Sequence, residues 1–267
     1  MNEVTALMMI RNEDRFIWYS VNSILPFVSK CLITDTGSTD KTIEILSSIK
    51  SPKIVLTRKN KVTPSLLTDY RMEQIKDVKK GWVWLVDGDE VYSQNTATRV
   101  NDLMNNEFDG IIVHRYDLIG DIYHYQNESV GSYNQFGKIG HYVLRALNKD
   151  KLPRLEVLGD YPNEYFAERG INVKVGNSRK FAFVKERLFH AMYLQRSSMG
   201  SNLKDVVNRQ KYKIELGNKI DRLQLPEVFF KTRPLIVPDV TGKRSLPYFI
   251  LAQLLTPLKK LKRIIFN

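Results

Sequence analysis

The most constraining feature of this chain is a five-residue apolar run, Trp82-Val83-Trp84-Leu85-Val86, that stops abruptly at Asp87-Gly88-Asp89-Glu90. A strand with no polar residue on either face must be buried on both, so it belongs inside a sheet covered on two sides. The residues before it supply that setting. Short apolar runs alternate with amphipathic stretches, the pattern of βαβ units and a largely parallel sheet. Val4–Met9, Cys31–Thr34 and Lys53–Thr57 read as strands. Between them Asn12 caps a helix in which Phe16, Ile17, Val21, Ile24 and Leu25 fall at helical spacing, stopped by Pro26. Ser38 or Thr39 starts a second helix, with Ile43, Leu46 and Ile49 on one face. Pro64 and Ser65 open a third, which runs through Leu66, Leu67, Tyr70 and Ile75 and ends at Gly81.

Beyond Glu90 the pattern loosens. Thr96–Asn105 looks helical, and Gly110–Tyr116, Tyr142–Leu147 and Val173–Val175 look like strands. Residues 120–140, rich in Gly, Tyr, Asn and His, read as a long loop of the kind that lines sites. Leu203–Leu216 reads as a helix.

Charge divides the chain. Residues 1–178 hold 22 Lys/Arg and 23 Asp/Glu, whereas residues 179–267 hold 19 and 6, so a near-neutral body carries a strongly basic last third. One cysteine, Cys31, excludes an internal disulfide framework and a multi-cysteine zinc module. The N-terminus lacks a basic n-region and a cleavage site, so Val4–Ile10 reads as a first strand and not a signal peptide. The apolar segment Leu246–Leu258 is interrupted by Pro247 and Pro257 and is too short to span a bilayer, which needs about 20 residues. Lys259, Lys260, Lys262 and Arg263 follow at once. That combination fits an anionic membrane surface, or a helix packed on its own domain with its bases in solvent.

Asp87 and Asp89 point to the same side of an extended chain and can address one ligand together. Gly88 removes the side chain between them and lets the backbone approach a bulky anion. With 16 Asp in 267 residues, about one such spacing is expected by chance, so the pattern alone means little. Its position matters, because loops at the carboxyl ends of parallel strands are where open α/β sheets bind ligands. Two carboxylates there would repel a diphosphate unless a hard divalent cation, Mg²⁺ or Mn²⁺, bridged them. A solvated acidic turn is the plainer alternative. Asp35, at the carboxyl end of the second strand, faces the same crevice and can accept hydrogen bonds from a nucleobase or a ribose.

Three stretches together, Met9-Ile10-Arg11-Asn12-Glu13, Ile33 to Thr42 (ITDTGSTDKT) and Asp87-Gly88-Asp89-Glu90, resemble glycosyltransferase family two, whose members use nucleotide sugars and have the GT-A fold. The resemblance covers roughly residues 4–92, in order and spacing. It is nearest to the branch with a D-x-D-E metal motif. Thr36 stands where the family often has a second Asp, and Lys41 where it often has Gly; both bear on the donor base rather than the fold. The resemblance implies a Rossmann-like mixed α/β sheet flanked by helices. It also implies a catalytic domain over 1–200, with a nucleotide half to about 92 and an acceptor half beyond, and a basic helical extension over 201–267. It implies a metal-dependent, inverting transfer of a hexose from a nucleoside diphosphate, a UDP-sugar first among them, to a glycan or lipid-linked hydroxyl.

Roles follow from the resemblance. Asp35 would contact the base and Glu13 the nucleoside, Arg71 would support the nucleotide, Asp87 would hold ribose or metal, and Asp89 the metal. Taken alone, Arg71 is equally a solvated helix residue. An inverting transfer needs a base that takes the acceptor proton, and the candidates cluster in residues 158–170. One branch of the family has a short His-Glu element there, and Asn163-Glu164-Tyr165-Phe166 resembles it with Asn for His. Glu164 is the first candidate base and Asp160 the second. His190 matches the position of a metal-binding His that follows the base segment, and Arg196 beyond it would offset leaving-group charge. His114, His124 and His141 have no such context.

Other classes fit less well. A nucleic-acid-binding module would suit the basic balance, but the bases lie beyond the α/β body and no aromatic-basic RNA motif is present, so no nucleic-acid partner is expected. A nucleotidyltransferase would want a Gly/Arg/Lys-rich phosphate loop after the first strand, and Arg11-Asn12-Glu13-Asp14 is not one. A catalytically dead relative would have no need of Asp87, Asp89, Glu164 and His190. The reading places the protein in the cytoplasm, free or peripheral on a membrane.

Overall fold

The computed structural model describes residues 3–135, 137–175, 180–194 and 213–266. The first half alternates as the apolar runs require: β1 (Val4–Ile10), α1 (Ile17–Ile24), β2 (Lys30–Asp35), α2 (Thr42–Ser48), β3 (Ile54–Arg58), α3 (Pro64–Asp77) and β4 (Trp82–Leu85). The second half is richer in strands: β5 (Glu90–Val91), α4 (Gln94–Leu103), β6 (Gly110–Ile119), β7 (Asp121–Tyr125), β8 (Tyr133–Gln135), β9 (Lys138–Gly140), β10 (Tyr142–Asn148), β11 (Leu155–Leu158), β12 (Tyr165–Glu168), β13 (Ile171–Asn172), β14 (Phe181–Tyr193) and β15 (Asn218–Lys219). The last element is α5 (Leu246–Phe266). Among the described residues, one ten-stranded sheet runs β15-β7-β6-β10-β4-β1-β2-β3, with β14 paired to β6 and β5. The four strands β3, β2, β1 and β4 are parallel. β10 lies antiparallel between β4 and β6, making the sheet mixed. This is the mixed, helix-flanked α/β arrangement expected of the GT-A class.

The central apolar run is buried on both sides. Trp82, Trp84 and Val86 enter the larger core with α1, while Val83 and Leu85 enter a second core with Ile75 of α3 and Leu155 of β11. Alternate residues of β1 divide in the same way, with Met8 in the first core and Leu7 in the second. Gln74 fastens α3 beneath the sheet, its buried amide donating to the Met8 and Leu32 carbonyls and to the Thr34 hydroxyl.

Several expectations change. Asn12 does not cap α1, whose first turn has no side-chain cap. It takes a left-handed conformation (φ 54°), donates its N–H to Ser38 Oγ at 2.9 Å and accepts the Thr39 N–H at 2.8 Å. Glu13 N–H donates to Thr42 Oγ1 at 2.8 Å. Residues expected to cap α2 therefore lock the β1–α1 turn to the β2–α2 turn. α3 ends at Asp77 rather than Gly81. Gly81 is a turn residue at φ 81°, where a Cβ would fall 2.1 Å from the Glu3 carbonyl oxygen. The stretch 120–140 is not one loop but contains β7 and the β8–β9 hairpin. Strands of three to five residues with few buried apolar positions leave no period to read. Val173–Val175 is not a strand, although Val173 is buried after β13. The helix expected at Leu203–Leu216 falls largely outside the described residues, and its last residues, 213–216, are irregular.

Part of the extension expected over 201–267 packs into the main core. Leu225, Val228, Phe229, Val237 and Val240 belong to the main core, and Phe229 meets Tyr19 of α1 edge-on at 5.6 Å. Tyr19 donates to the Pro238 carbonyl at 2.7 Å, and Gln94 N–H donates to Glu227 at 2.9 Å. No helix among the described residues is long and apolar enough to cross a membrane.

Cys31 lies fully buried in β2, and burial raises its thiol to about 12. The thiolate is the reactive form. At mildly alkaline pH the folded protein is expected to leave Ellman's reagent unreacted, and one thiol should titrate in denaturant. Prompt stoichiometric reaction of the native protein would contradict this packing.

Candidate active site

The carboxylates after β4 sit where three elements converge. The central strand delivers Asp87, Gly88 and Asp89 to the sheet's rim, beside the end of β1, and β14 crosses behind them. A cavity of about 420 Å³ opens there. Glu13, Arg71, Asp87, Asp89, Glu164 and His190 all line it, so residues spread over most of the chain meet at one site. Thr36, Arg11 and Arg115 contribute to the same wall.

Two buried carboxylates, Asp89 and Glu90, and the half-buried Asp87 share one turn and need cations. Arg145 of β10 supplies the first, donating to Asp87 Oδ2 at 2.9 Å and to Glu90 Oε1. It occupies a β-bulge: Leu144 pairs with Ile112 and Ala146 with Ile111, leaving Arg145 the extra residue. A bulge re-aims a side chain, and here it turns a guanidinium towards the acidic turn. Burial would raise Asp87, but Arg145 and then Arg71 outweigh it and hold the carboxyl below its ordinary range. Glu90, fully buried, is raised by desolvation, which Arg145 only partly offsets.

His190 supplies the second positive centre. Its Nδ1 lies 3.1 Å from Asp117 Oδ1 and its Nε2 3.4 Å from Asp89 Oδ2. Burial would lower the imidazole, but Asp89 and Asp117 raise it to about 9, so the ring carries a proton between two carboxylates. Asp117 falls to about 2 against its own burial, mainly through His190 and Arg115. Next to the ring the Ala191 N–H donates to the Asp89 carbonyl at 2.9 Å, continuing the pairing of β14 with β5 and holding His190 beside Asp89.

Glu164 approaches from the loop joining β11 to β12. That loop is pinned to α3 by the Thr68 hydroxyl, which donates to the Gly159 carbonyl at 2.8 Å. Glu164 Oε2 is buried and has no hydrogen-bond partner among the described residues. Asp160, the second candidate base, is exposed and does not line the cavity. Asp35 is fully buried beneath its own turn, accepting the Ser38 N–H at 3.1 Å, and Thr36 rather than Asp35 reaches the cavity. Arg196 lies outside the described residues. Gly88 also differs from expectation, because the space above it is occupied. A Cβ there would fall 2.8 Å from Glu13 Cγ and 3.1 Å from Ile10 Cγ2, so glycine admits the β1–α1 turn.

Sequence reasoning missed Asp117, Arg115 and Arg145. Arg145 had a signal, being the one charged residue in the otherwise apolar-leaning strand YVLRALN, downstream of an acidic turn that needed neutralising. Asp117 and Arg115 had none, since only the pairing of β6 with β14 brings them to His190. Among the described residues no three His, Cys, Asp or Glu side chains form a ready-made metal-binding group. Asp87 is drawn to Arg145, which leaves Asp89 and His190 as an adjacent oxygen and nitrogen donor pair.

The sequence profile described as Glycosyl transferase family 2 matches residues 5–158. No curated protein sequence matches. Among solved structures, S. aureus TarS 1–349 aligns at 14% identity and a TM-score of 0.43, over 70% of this chain and 60% of that one. The mannosyltransferase PcManGT from Pyrobaculum calidifontis, in complex with GDP-Man and Mn²⁺, aligns at 14% identity and 0.47, over 72% and 57%. Glucosyl-3-phosphoglycerate synthase from Mycobacterium tuberculosis, with Mn²⁺, UDP-glucose and phosphoglyceric acid, aligns at 17% identity and 0.43, over 71% and 72%. The chain thus spans about 60% of the length of the TarS structure.

Replacing Arg145 with Met should strand Asp87 and Glu90 without their cation and cost about 3–5 kcal/mol in urea unfolding. Adding Glu90→Gln should recover part of that loss, because neighbours sharing a network are not additive. Additive costs, or a loss below about 1 kcal/mol, would remove Arg145 from its neutralising role.

Proposed function

Because the chain belongs to glycosyl transferase family 2, we propose that it is a metal-dependent, inverting hexosyltransferase. It moves a sugar from a nucleoside diphosphate, a UDP-sugar first among them, to a hydroxyl of a glycan or lipid-linked acceptor. The observation that carries this reading is the meeting, in one cavity, of Glu164 with the Asp89–His190 pair.

The pair would fit a divalent cation once His190 gives up its Nε2 proton, which the metal would displace. Carboxylate oxygen and imidazole nitrogen together suit Mn²⁺, and Mg²⁺ less well. Asp117 grips the far nitrogen of His190, the second-layer contact that fixes a ligating ring. Asp87 stands beside them, close enough in the chain to reach the same ion or the donor's ribose. Bound there, the cation would neutralise the departing diphosphate.

The chain's own groups do the rest. Glu13 and Thr36 line the donor side of the cavity, with Asp35 holding the turn that carries Thr36. Arg11 and Arg71 place fixed positive charge on the same wall, where it opposes charge building on the leaving group. Glu164 Oε2 has the geometry of a waiting base: buried, without a partner among the described residues, and set in the cavity wall. It takes the acceptor proton as the acceptor oxygen bonds to the anomeric carbon. The bond from that carbon to the phosphate oxygen breaks, and its electron pair leaves with the nucleoside diphosphate.

Titration calorimetry with UDP-, GDP- and dTDP-sugars should show heat of donor binding only when Mn²⁺ or Mg²⁺ is present, and none with Asp89→Ala. Silence from every donor with metal would sink the proposal. Glu164→Gln should keep donor affinity and lose transfer by 10²–10⁴-fold, roughly the worth of a positioned base; normal turnover would remove Glu164 from the mechanism. Asp117→Asn should weaken metal-linked donor binding by about 10–100-fold while the fold persists by circular dichroism. Unchanged metal affinity in that variant would make Asp117 a purely structural partner.

A further inference from the structure

Helix α5 is amphipathic in an inverted sense. Its inward face is polar: Tyr248 Oη donates to the Lys213 carbonyl at 3.0 Å, and Thr256 Oγ1 accepts the Leu216 N–H at 2.9 Å. Arg263 closes a two-bonded ion pair with Glu215 at 2.6 and 3.0 Å. Its outward face is apolar. Leu246, Ile250, Leu254, Leu258, Leu261 and Ile265 recur every three or four residues, so they form a single stripe, and they are 51–69% exposed. No described element packs on this stripe. At 1.5 Å per residue, 21 residues carry it for about 30 Å. A soluble protein rarely leaves so long an apolar surface uncovered without a use for it.

Charge identifies what covers it. Residues 240–267 contain Lys243, Arg244, Lys259, Lys260, Lys262 and Arg263 and no acidic residue. The cations stand at both ends of the stripe, and Lys260 and Lys262 are exposed on the flanks of α5. A second copy docked on this face, parallel or antiparallel, would bring cations against cations. An anionic lipid surface is complementary in both respects, taking the stripe among its acyl chains and the lysines at its headgroups.

We propose that α5 lies in the plane of an anionic membrane, with Leu254 and Leu258 at the centre of the inserted face and Lys260 and Lys262 on headgroup phosphates. The inference is independent of the catalytic reading, since lipid binding needs neither metal nor donor. Flotation of the 267-residue chain with vesicles of phosphatidylcholine, with and without phosphatidylglycerol, tests it. Wild-type protein should float with the anionic vesicles, at least tenfold more weakly with neutral ones, and less as salt rises. Leu254→Glu/Leu258→Glu should stay at the bottom of the gradient with an unchanged melting temperature, because both side chains are exposed. Lys260→Glu/Lys262→Glu should lose at least tenfold of the anionic preference. Flotation of Leu254→Glu/Leu258→Glu at wild-type level would overturn the proposal. So would a concentration-dependent dimer, seen by sedimentation, that this variant dissolves while the wild type ignores vesicles.

Discussion

A buried acidic turn has to be neutralised before anything else in this molecule can settle. Asp87, Asp89 and Glu90 follow the most apolar strand of the chain, so Asp89 and Glu90 enter the interior with it and Asp87 stays half-buried at its edge. The body answers with two cations from the other half of the sheet, Arg145 on β10 and His190 on β14. Each comes from a place where strand pairing slips by a residue. Those slips are unfavourable to the ladder locally, yet they put charge where the turn requires it. The mixed sheet is thus a consequence of charge as well as topology. Without β10 between β4 and β6, Asp87 and Glu90 would lose the counter-charge that Arg145 brings from the sheet.

The same arrangement divides labour in the cavity. The strands β1, β2 and β4 and their turns supply Glu13, Thr36, Asp87 and Asp89, while the mixed half supplies Arg115, Arg145 and His190. Glu164 comes from a small separate sheet that leans on α3. Three structural units therefore meet at one opening, and none of them is complete alone. The locked turns of residues 11–14 and 36–42 make the donor side of that opening stiff. Asn12 is tied to Ser38 and Thr39, and the Glu13 N–H to Thr42.

How much of this could be read in advance depended on how local the cause was. The parallel strands and α3 and α4 were legible because burial on one or two faces leaves a period in the sequence. The grouping of Glu13, Arg71, Asp87, Asp89, Glu164 and His190 was legible through motif order, and the cavity gathers all six. Asn12 was misread because a cap and a cross-turn bridge use the same side chain, and only the partner turn decides between them. Asp35 looked like a ligand contact, yet the nearest N–H groups belong to its own turn. β14 was hidden because Lys185, Glu186 and Arg187 interrupt its apolar pattern where the ladder slips. Asp117 left no trace, since its meaning comes wholly from a strand some seventy residues later.

The strap of residues 220–241 has one more implication. It is stitched to the body at Tyr19, Gln94 and Tyr123, and it buries Phe229 before handing over to α5. A helix hung from such a strap is not a tether with slack. An enzyme moored through it could not tumble at the surface. Its mouth would stay at one height and one tilt, so whatever enters the cavity would be sorted by how far it stands above the lipid plane before any pocket had touched it.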